Sequence, residues 1–229
     1  MPKIKQGKLT IKTNERLSLD YGHKLRGFFA NQFDNILFHH HEKENDYKYN
    51  YPLIQYKILR GYPTVIALKE AVTLIANNFL EIEKLTLEDK VFTAPIMEFQ
   101  VSKWNLSVNE EELMLPYKYE FITPWMGLNQ RNYDKYKAEI TGSSDEERVD
   151  FLSSILIGNI LSFAKGIDWW VDGEIKVIPV LKEITVNFKD NKMIGFKGFF
   201  FSNIKLPDYI GLGQATSRGF GTIQGNKEY

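Results

Sequence analysis

Cysteine is absent from this 229-residue chain, which excludes disulfides, zinc knuckles and a cysteine nucleophile. A reducing cytoplasm is the compartment that this absence favours. The first 12 residues carry four lysines and no apolar segment, which is not typical of a signal peptide. The most apolar window, residues 151–167, is interrupted by serine, asparagine and lysine. It therefore predicts a helix buried around most of its circumference rather than a membrane span.

An excess of one charge sign is also missing, because the chain has 29 basic and 29 acidic side chains. The charges are nevertheless unevenly placed. Residues 1–60 hold 11 basic and 6 acidic side chains, residues 61–170 hold 10 and 17, and residues 171–229 hold 8 and 6. Local fields steer a polyanion more than net charge does, so the basic ends are compatible with a nucleic-acid partner. A solvated surface gives the same imbalance.

The first half of the chain switches between two hydrophobic periods. A period of two predicts strands, and a period near 3.6 predicts helices. In chain order the predicted elements are a strand at 9–17, a helix at 22–38, strands at 51–59 and 62–68, a helix at 69–80 and, after a hairpin, a strand at 97–101. This βαββαβ order is that of a ferredoxin-like unit.

The second half predicts a degraded copy of the same unit. A strand at 117–121 precedes a capping box, Ser144 with Glu147, which begins a helix that ends near Lys165. A hairpin at 184–200 and a short strand at 222–224 follow. The fold class is therefore α+β, with two tandem ferredoxin-like, RRM-like domains at residues 1–107 and 108–229.

Three consecutive histidines, His39, His40 and His41, follow the first predicted helix. An exposed helix end is the simplest interpretation, because burial would require partners for every ring nitrogen. Metal binding fits poorly, because consecutive side chains diverge and no further ligand has suitable spacing. Acid–base catalysis is the third interpretation, since histidine both accepts and donates protons near neutral pH.

Glycine is concentrated near the C-terminal end, where seven of the 16 glycines lie after residue 194. Residues 211–221 form a glycine-rich segment whose free N–H groups could bind phosphate. It is neither a P-loop nor a dinucleotide fingerprint. A mobile connection between strands is the alternative interpretation.

Tyrosines alternate with polar residues from residue 47 to residue 51. With Gln55 and Lys57 they would share one face of a strand. Aromatic and lysine side chains on one face suit base stacking and phosphate contact. A half-buried edge strand would have the same pattern.

Taken in order, these features resemble the CRISPR-associated repeat-processing endoribonucleases of the RAMP superfamily, in their b subtype. The resemblance covers nearly the whole chain. It is carried by the closing glycine signature, by the histidine cluster, and by four blocks at residues 25–31, 51–57, 121–125 and 157–161. Gln214 departs from the pattern, because a basic residue is common in the family at that position.

The resemblance implies a metal-independent endoribonuclease that uses no cofactor and cuts CRISPR repeat RNA in precursor transcripts. A 2′-OH attacks the adjacent phosphorus, which leaves a 2′,3′-cyclic phosphate and a 5′-OH. His39 and His41 map onto the family's H-x-H pair, with His40, Lys24, Arg26 and Lys57 as candidates for supporting charge. The RNA-binding residues that it implies, together with the tyrosine face, are Gly211, Gly213, Gln214, Ser217, Arg218, Gly219, Gly221, Tyr49, Tyr51 and Gln55.

The partners implied are precursor repeat RNA, a second copy of the chain in a homodimer, and a CRISPR interference complex, with no membrane. Two alternatives remain open. One is a RAMP subunit that holds guide RNA without cutting it, and the other is a metal-dependent nuclease with histidine ligands.

Overall fold

The computed structural model describes residues 2–33, 51–111, 114–188 and 191–225, which form two compact units. The N-terminal unit consists of Lys3–Trp104 together with the short stretch Ser217–Gly219. The C-terminal unit takes Asn105–Thr216 and the chain from Phe220 onward. The chain thus passes from one unit to the other between Trp104 and Asn105, beside the domain boundary at 107 and 108 that the sequence predicts.

The N-terminal unit contains the predicted βαββαβ order. Its sheet has the strand order β2-β3-β1-β6, the arrangement of a ferredoxin-like domain, and β3 pairs antiparallel with both β1 and β2. The two helices are α1 and α2, and a β4–β5 hairpin precedes the last strand. The bounds are β1 Lys3–Lys12, α1 Tyr21–Gln32, β2 Ile54–Leu59, β3 Tyr62–Leu68, α2 Ala71–Asn78, β4 Lys84–Leu87, β5 Lys90–Thr93 and β6 Ile96–Asn105.

Helix α1 supplies much of the core of this unit. Leu25 and Phe29 are buried, and the Phe29 ring packs 5.5 Å from the ring of Tyr56 on β2. The helix ends sooner than predicted, because Phe33 adopts an extended conformation at the C-cap. The rest of the predicted helix, residues 34–38, lies outside the described residues. Strand β1 begins six residues before the predicted strand, since polar residues and Gly7 hide its alternation.

The C-terminal unit repeats the same strand order, but its described α-helices both lie between its first and second strands. Its sheet runs β12-β8-β10-β9, so its first, second, third and fourth strands occupy the same places as those of the N-terminal unit. The glycine-rich segment connects β10 to β12, where a second helix would lie. The bounds are β7 Ser107–Val108, β8 Tyr117–Trp125, α3 Gln130–Lys135 continued by a π-helix Tyr136–Ile140, α4 Asp145–Gly166, β9 Val177–Phe188, β10 Asn191–Ser202, β11 Ile204–Lys205 and β12 Ile223–Gly225. The chain is therefore α+β, with two tandem ferredoxin-like domains.

Helix α4 begins with the predicted capping box, in which the Ser144 hydroxyl accepts from the Glu147 N–H and the Glu147 carboxylate accepts from the Ser144 N–H. By length and composition alone, this helix would be able to cross a membrane. One side of it is buried against the sheet, through Leu152, Ile155, Leu156, Ile160, Phe163 and Ala164. The prediction of burial around most of the circumference is wrong, because Leu161 is 46% exposed on the side that no strand covers.

Aromatic rings fill the core between α4 and the sheet. Trp125 on β8 is fully buried and packs against Phe121 and Phe196, with ring centroids 5.5 Å apart in each pair. Its indole N–H donates to the side-chain carbonyl of Asn159 on α4 at 3.0 Å. This bond satisfies a donor that burial would otherwise leave unpaired.

We predict that Gly221→Ala lowers the free energy of unfolding by about 2 kcal/mol or more. Gly221 has a φ of +61°, and a Cβ atom there would overlap the carbonyl oxygen of Leu212. Urea unfolding followed by circular dichroism measures the change. Gly158→Ala, on α4 where a Cβ meets nothing within 4 Å, is the control and should raise stability by about 0.5–1 kcal/mol. An unchanged Gly221→Ala midpoint would contradict the backbone geometry at this position.

Candidate nucleic-acid interface

The glycine-rich segment is a packed connection in the C-terminal unit rather than a mobile one. Gly211 bridges to Thr222. Gly213 lies against β8, where a Cβ atom would be 2.7 Å from the Met126 carbonyl oxygen and 2.8 Å from the Trp125 Nε1. The Gly221 N–H donates to the Pro124 carbonyl at 2.8 Å. These contacts fix the path of the segment along the first strand of this unit.

Gln214 holds the start of this segment in place. Its backbone N–H donates to the Met126 carbonyl at 2.8 Å, and its side-chain amide donates to the Leu128 carbonyl at 2.6 Å. The residue that departs from the family pattern therefore makes a local structural contact.

The tip of the segment, Ser217–Gly219, belongs by its contacts to the N-terminal unit. The predicted domain boundary at 107 and 108 would place these three residues in the second domain. A Cβ atom at Gly219 would lie 3.1 Å from the Tyr56 carbonyl oxygen and 3.3 Å from the Lys57 Cα, so the tip runs close along β2.

Gly22, in the first turn of α1, makes the other close approach to the tip. A Cβ atom there would lie 2.5 Å from the Arg218 carbonyl oxygen and 3.4 Å from that of Tyr56. Only glycine allows the helix to begin this close to the tip and the strand. Sequence reasoning missed this residue. The sequence signal that could have identified Gly22 is a glycine within a predicted helix, where alanine would give the more stable helix.

Three basic residues adjoin the tip, and we call them the tip cluster. Arg26 and Arg218 are close enough for their charges to interact, and the main chain of Lys57 lies against Gly219. Burial and the nearby positive charge of Arg26 lower the pKa of Arg218. The charge of Arg26 also opposes the effect of burial, which raises the pKa of the Tyr56 phenol. Among the described residues, no group forms a hydrogen bond with the Tyr56 hydroxyl. The guanidinium groups of Arg26 and Arg218 are thus close enough to repel each other. An anion bound between them would be attracted by both charges.

Lys57 is the most deeply placed member of the tip cluster. Its side chain is fully buried on β2, and that burial lowers its pKa to about 7. Near neutral pH it therefore exists in both protonation states, and a nearby phosphate would favour the charged one.

Tyr51 and Gln55 do not form the exposed aromatic face that the sequence predicts. Gln55 is fully buried, and its amide donates to the Tyr51 hydroxyl at 2.7 Å and to the Pro52 carbonyl at 3.2 Å. Tyr51 is 8% exposed. The strand phase was correct, because Tyr56 packs on α1 while Gln55 and Lys57 lie on the other face. Both faces of β2 are covered, however, so the polar face is not available for stacking.

Lys24 is not part of the tip cluster. Its ammonium group lies 2.8 Å from the Glu88 carboxylate and 4.1 Å from the centroid of the Tyr21 ring, at the turn of the β4–β5 hairpin. The hydrogen bond with Glu88 raises the pKa of Lys24. Lys24 and Arg26 are two residues apart on α1, so they point to different sides of the helix. Lys24 therefore forms an ion pair with Glu88, and its role as catalytic support stays a prediction.

The histidines His39, His40 and His41, and the tyrosine Tyr49, lie outside the described residues. Within the described ranges no group of three or more histidine, aspartate or glutamate side chains is placed to hold a metal ion.

Comparisons with known proteins cover both units. The family model of the Cas6b N-terminal domain matches residues 2–105, and that of the Cas6b C-terminal domain matches residues 111–226. A crystal structure of Cas6b is 31% identical with a TM-score of 0.85, over 97% of this chain and 99% of that one. A crystal structure of a CRISPR RNA processing endoribonuclease, Cas6b, is 30% identical with a TM-score of 0.75, over 98% of this chain and 100% of that one.

A further relative is an uncharacterized protein of Methanocaldococcus jannaschii, 34% identical over 145 residues, which are 63% of this chain and 93% of that protein. The two domain matches follow one another in order and together span nearly the whole chain. The chain therefore belongs to the Cas6b family of CRISPR-associated proteins.

Proposed function

We propose that this protein is an endoribonuclease that cuts CRISPR repeat RNA within precursor transcripts, without a metal ion, to release guide RNAs. The observation that carries the proposal is the match to both Cas6b domains, together with a likeness over 98% of the chain to a solved CRISPR RNA processing endoribonuclease. The tip cluster adds a concentration of positive charge at the glycine signature, where an RNA phosphate would bind.

The proposed reaction is an internal transfer at phosphorus. One histidine of the pair His39 and His41 removes the proton from a ribose 2′-OH, and that oxygen forms a bond to the adjacent phosphorus. The bond from phosphorus to the 5′-oxygen of the next nucleotide breaks, and the other histidine protonates that oxygen. The products are a 2′,3′-cyclic phosphate and a 5′-OH, and no water is consumed. Each proton transfer would contribute about 10²–10⁴-fold.

Charge on the phosphate increases as the phosphorus becomes pentacoordinate, so the reaction needs cations nearby. We propose that Arg26 and Arg218 of the tip cluster serve this purpose, that the buried Lys57 adds charge without touching the RNA, and that Ser217 and Gly219 hold the RNA backbone at the tip. Gly211, Gly213, Gln214 and Gly221 support the tip by fixing the segment on β8. Family membership is also the basis for proposing a homodimer and delivery of the product to an interference complex.

The direct test incubates the protein in EDTA with labelled repeat RNA from its own genome and with copies that carry one 2′-deoxy nucleotide each. We expect a single cut, a cyclic phosphate at the new 3′ end, and loss of the cut at one deoxy position, where the nucleophile is missing. A requirement for added metal would favour the metal-dependent nuclease. Tight binding with no cut would favour the RAMP subunit that holds RNA.

We predict that the combined change His39→Ala with His41→Ala lowers the cleavage rate by at least about 10²-fold, because each histidine is assigned one proton transfer. Single-turnover kinetics measures the rate, and RNA affinity measured by filter binding should stay within a few fold. His23→Ala is the matched control, since His23 lies on α1 and is half exposed near Glu88. A rate that survives the double change would contradict the assigned roles.

We predict that Lys57 makes the stability of the free protein depend on pH. Between about pH 7 and pH 10 the unfolded lysine keeps its proton while the buried one has lost it, so the free energy of unfolding rises with pH by up to about 1.4 kcal/mol per unit. Lys57→Met should remove this part of the rise, as measured by urea unfolding across that range. In Lys24→Met the curve should stay parallel to that of the wild type below about pH 10, because the Lys24 pKa is raised. A Lys57→Met curve parallel to the wild type would show that Lys57 titrates normally.

A further inference from the structure

In the part of the chain that the structure describes, no helix covers one face of the sheet of the C-terminal unit. Alternate residues of β8 and β10 point to α4 and form the core, among them Phe121 and Phe200. The intervening residues lie on the opposite side, which we call the open face. It comprises Ile178, Val180 and Lys182 on β9, Lys197, Phe199 and Phe201 on β10, and Lys118, Glu120 and Ile122 on β8.

Two phenylalanines stand in the middle of the open face. Phe199 and Phe201 are half-buried on β10, and their rings meet edge to face with centroids 5.5 Å apart. On β9, Val180 is the register partner of Phe199 and Ile178 that of Phe201. Ile178 and Val180 are 49% and 48% exposed, so apolar surface continues from the rings to the edge strand.

A lysine from the neighbouring strand covers the rings. The Lys118 ammonium group lies 4.1 Å from the centroid of Phe199 and 5.6 Å from that of Phe201. At an exposed site, the attraction between a cation and the face of an aromatic ring is weak. The ammonium group could therefore move aside to a phosphate and leave a ring face for a planar group.

The position of these residues in the sheet is informative. Phe199 and Phe201 are two residues apart on the third strand of a βαββαβ unit, and Lys118 lies on the first strand beside them. In sheets of this order, aromatic side chains on the two central strands can stack unpaired bases.

The remaining charges of the open face favour an anionic occupant. Lys182 and Lys197 are direct register partners on β9 and β10, and both are exposed. Like charges directly opposite each other in a sheet are destabilising, and a bound anion relieves that repulsion. The open face also carries the carboxylate of Glu120, so three of its four charged residues are lysines.

We propose that the open face binds a single-stranded segment of the repeat transcript, with bases stacked on Phe199 and Phe201 and phosphates held by Lys118, Lys182 and Lys197. This inference rests on the proposed function, because it assumes that RNA is the ligand. The open face belongs to the C-terminal unit, whereas the tip cluster belongs to the N-terminal unit. A two-fold interface with a second copy is the less favoured occupant, because it would bring the lysines of one copy against those of the other.

The test measures binding of labelled repeat RNA, and of a ten-nucleotide oligouridine, to Phe199→Leu, Phe201→Leu and the double variant. Leucine keeps apolar volume and removes the ring, so the fold is retained, as circular dichroism and the unfolding midpoint will verify. Loss of base stacking should weaken binding by about tenfold for each ring. Phe199→Tyr should restore most of the affinity, because it keeps a ring. Leu161→Ala, exposed on α4 at the other side of the sheet, is the matched control and should bind as the wild type does.

A second readout does not depend on any variant. Repeat RNA carrying 5-iodouridine is crosslinked to the wild-type protein, and the peptide that bears the adduct is identified by mass spectrometry. We expect adducts at Phe199 or Phe201.

The outcomes separate this inference from the proposed function. A wild-type protein that neither binds nor cuts repeat RNA would overturn both. A protein that binds and cuts, with the double variant unchanged and no adduct on β10, would overturn the open-face inference and leave the nuclease standing. A double variant that binds RNA normally but sediments at a different mass would identify the open face as a protein interface, which also overturns the inference.

Discussion

The close approach of backbone to backbone at the glycine-rich segment is the constraint on which the rest of the candidate site depends. In the C-terminal unit, this segment takes the place of the second helix of a ferredoxin-like domain and is held on β8 by main-chain hydrogen bonds. Its tip then reaches β2 and the start of α1, where Gly22 and Gly219 leave no room for a side chain. Because the backbone of the segment is fixed both at β8 and at β2, Arg218 takes a defined position near Arg26 and the main chain of Lys57. A side chain at either contact would move the backbone and with it the positive charges.

Burial and charge repulsion in the tip cluster reduce the stability of the folded protein, as is expected of basic groups that serve to bind a ligand. Arg26 and Arg218 repel each other, and Lys57 is buried deeply enough that its charged form is disfavoured. A protein optimised for stability alone would replace such groups by apolar ones of similar volume. Basic groups whose charged forms are disfavoured are often found at functional sites, where pKa values are perturbed.

Hydrophobic periodicity was sufficient to predict most of the fold. The alternation in β2, β3 and β8 and the capping box of α4 gave both ferredoxin-like units, because these signals depend on local geometry. Hydrophobic periodicity did not predict which faces of the strands are buried by neighbouring elements. It placed Gln55 and Lys57 correctly on one side of β2, but it could not show that this side is buried. It also gave no means of choosing between Lys24, which pairs with Glu88, and Arg26, which lies by the tip. The histidine assignment came from family resemblance, and the structure as described leaves it as a prediction.

The inclusion of Ser217–Gly219 in the N-terminal unit has a consequence for synthesis of the protein. A ribosome makes about 5–20 residues each second and releases the chain from its N-terminal end. The first 104 residues emerge before the tip and can pack their own sheet and helices, yet the segment Ser217–Gly219, which runs along β2, is still missing. Arg218 can join Arg26 only after residue 218 has been synthesised, long after Trp104. A nascent or prematurely truncated chain therefore lacks the Ser217–Gly219 part of its N-terminal unit, and its tip cluster is incomplete.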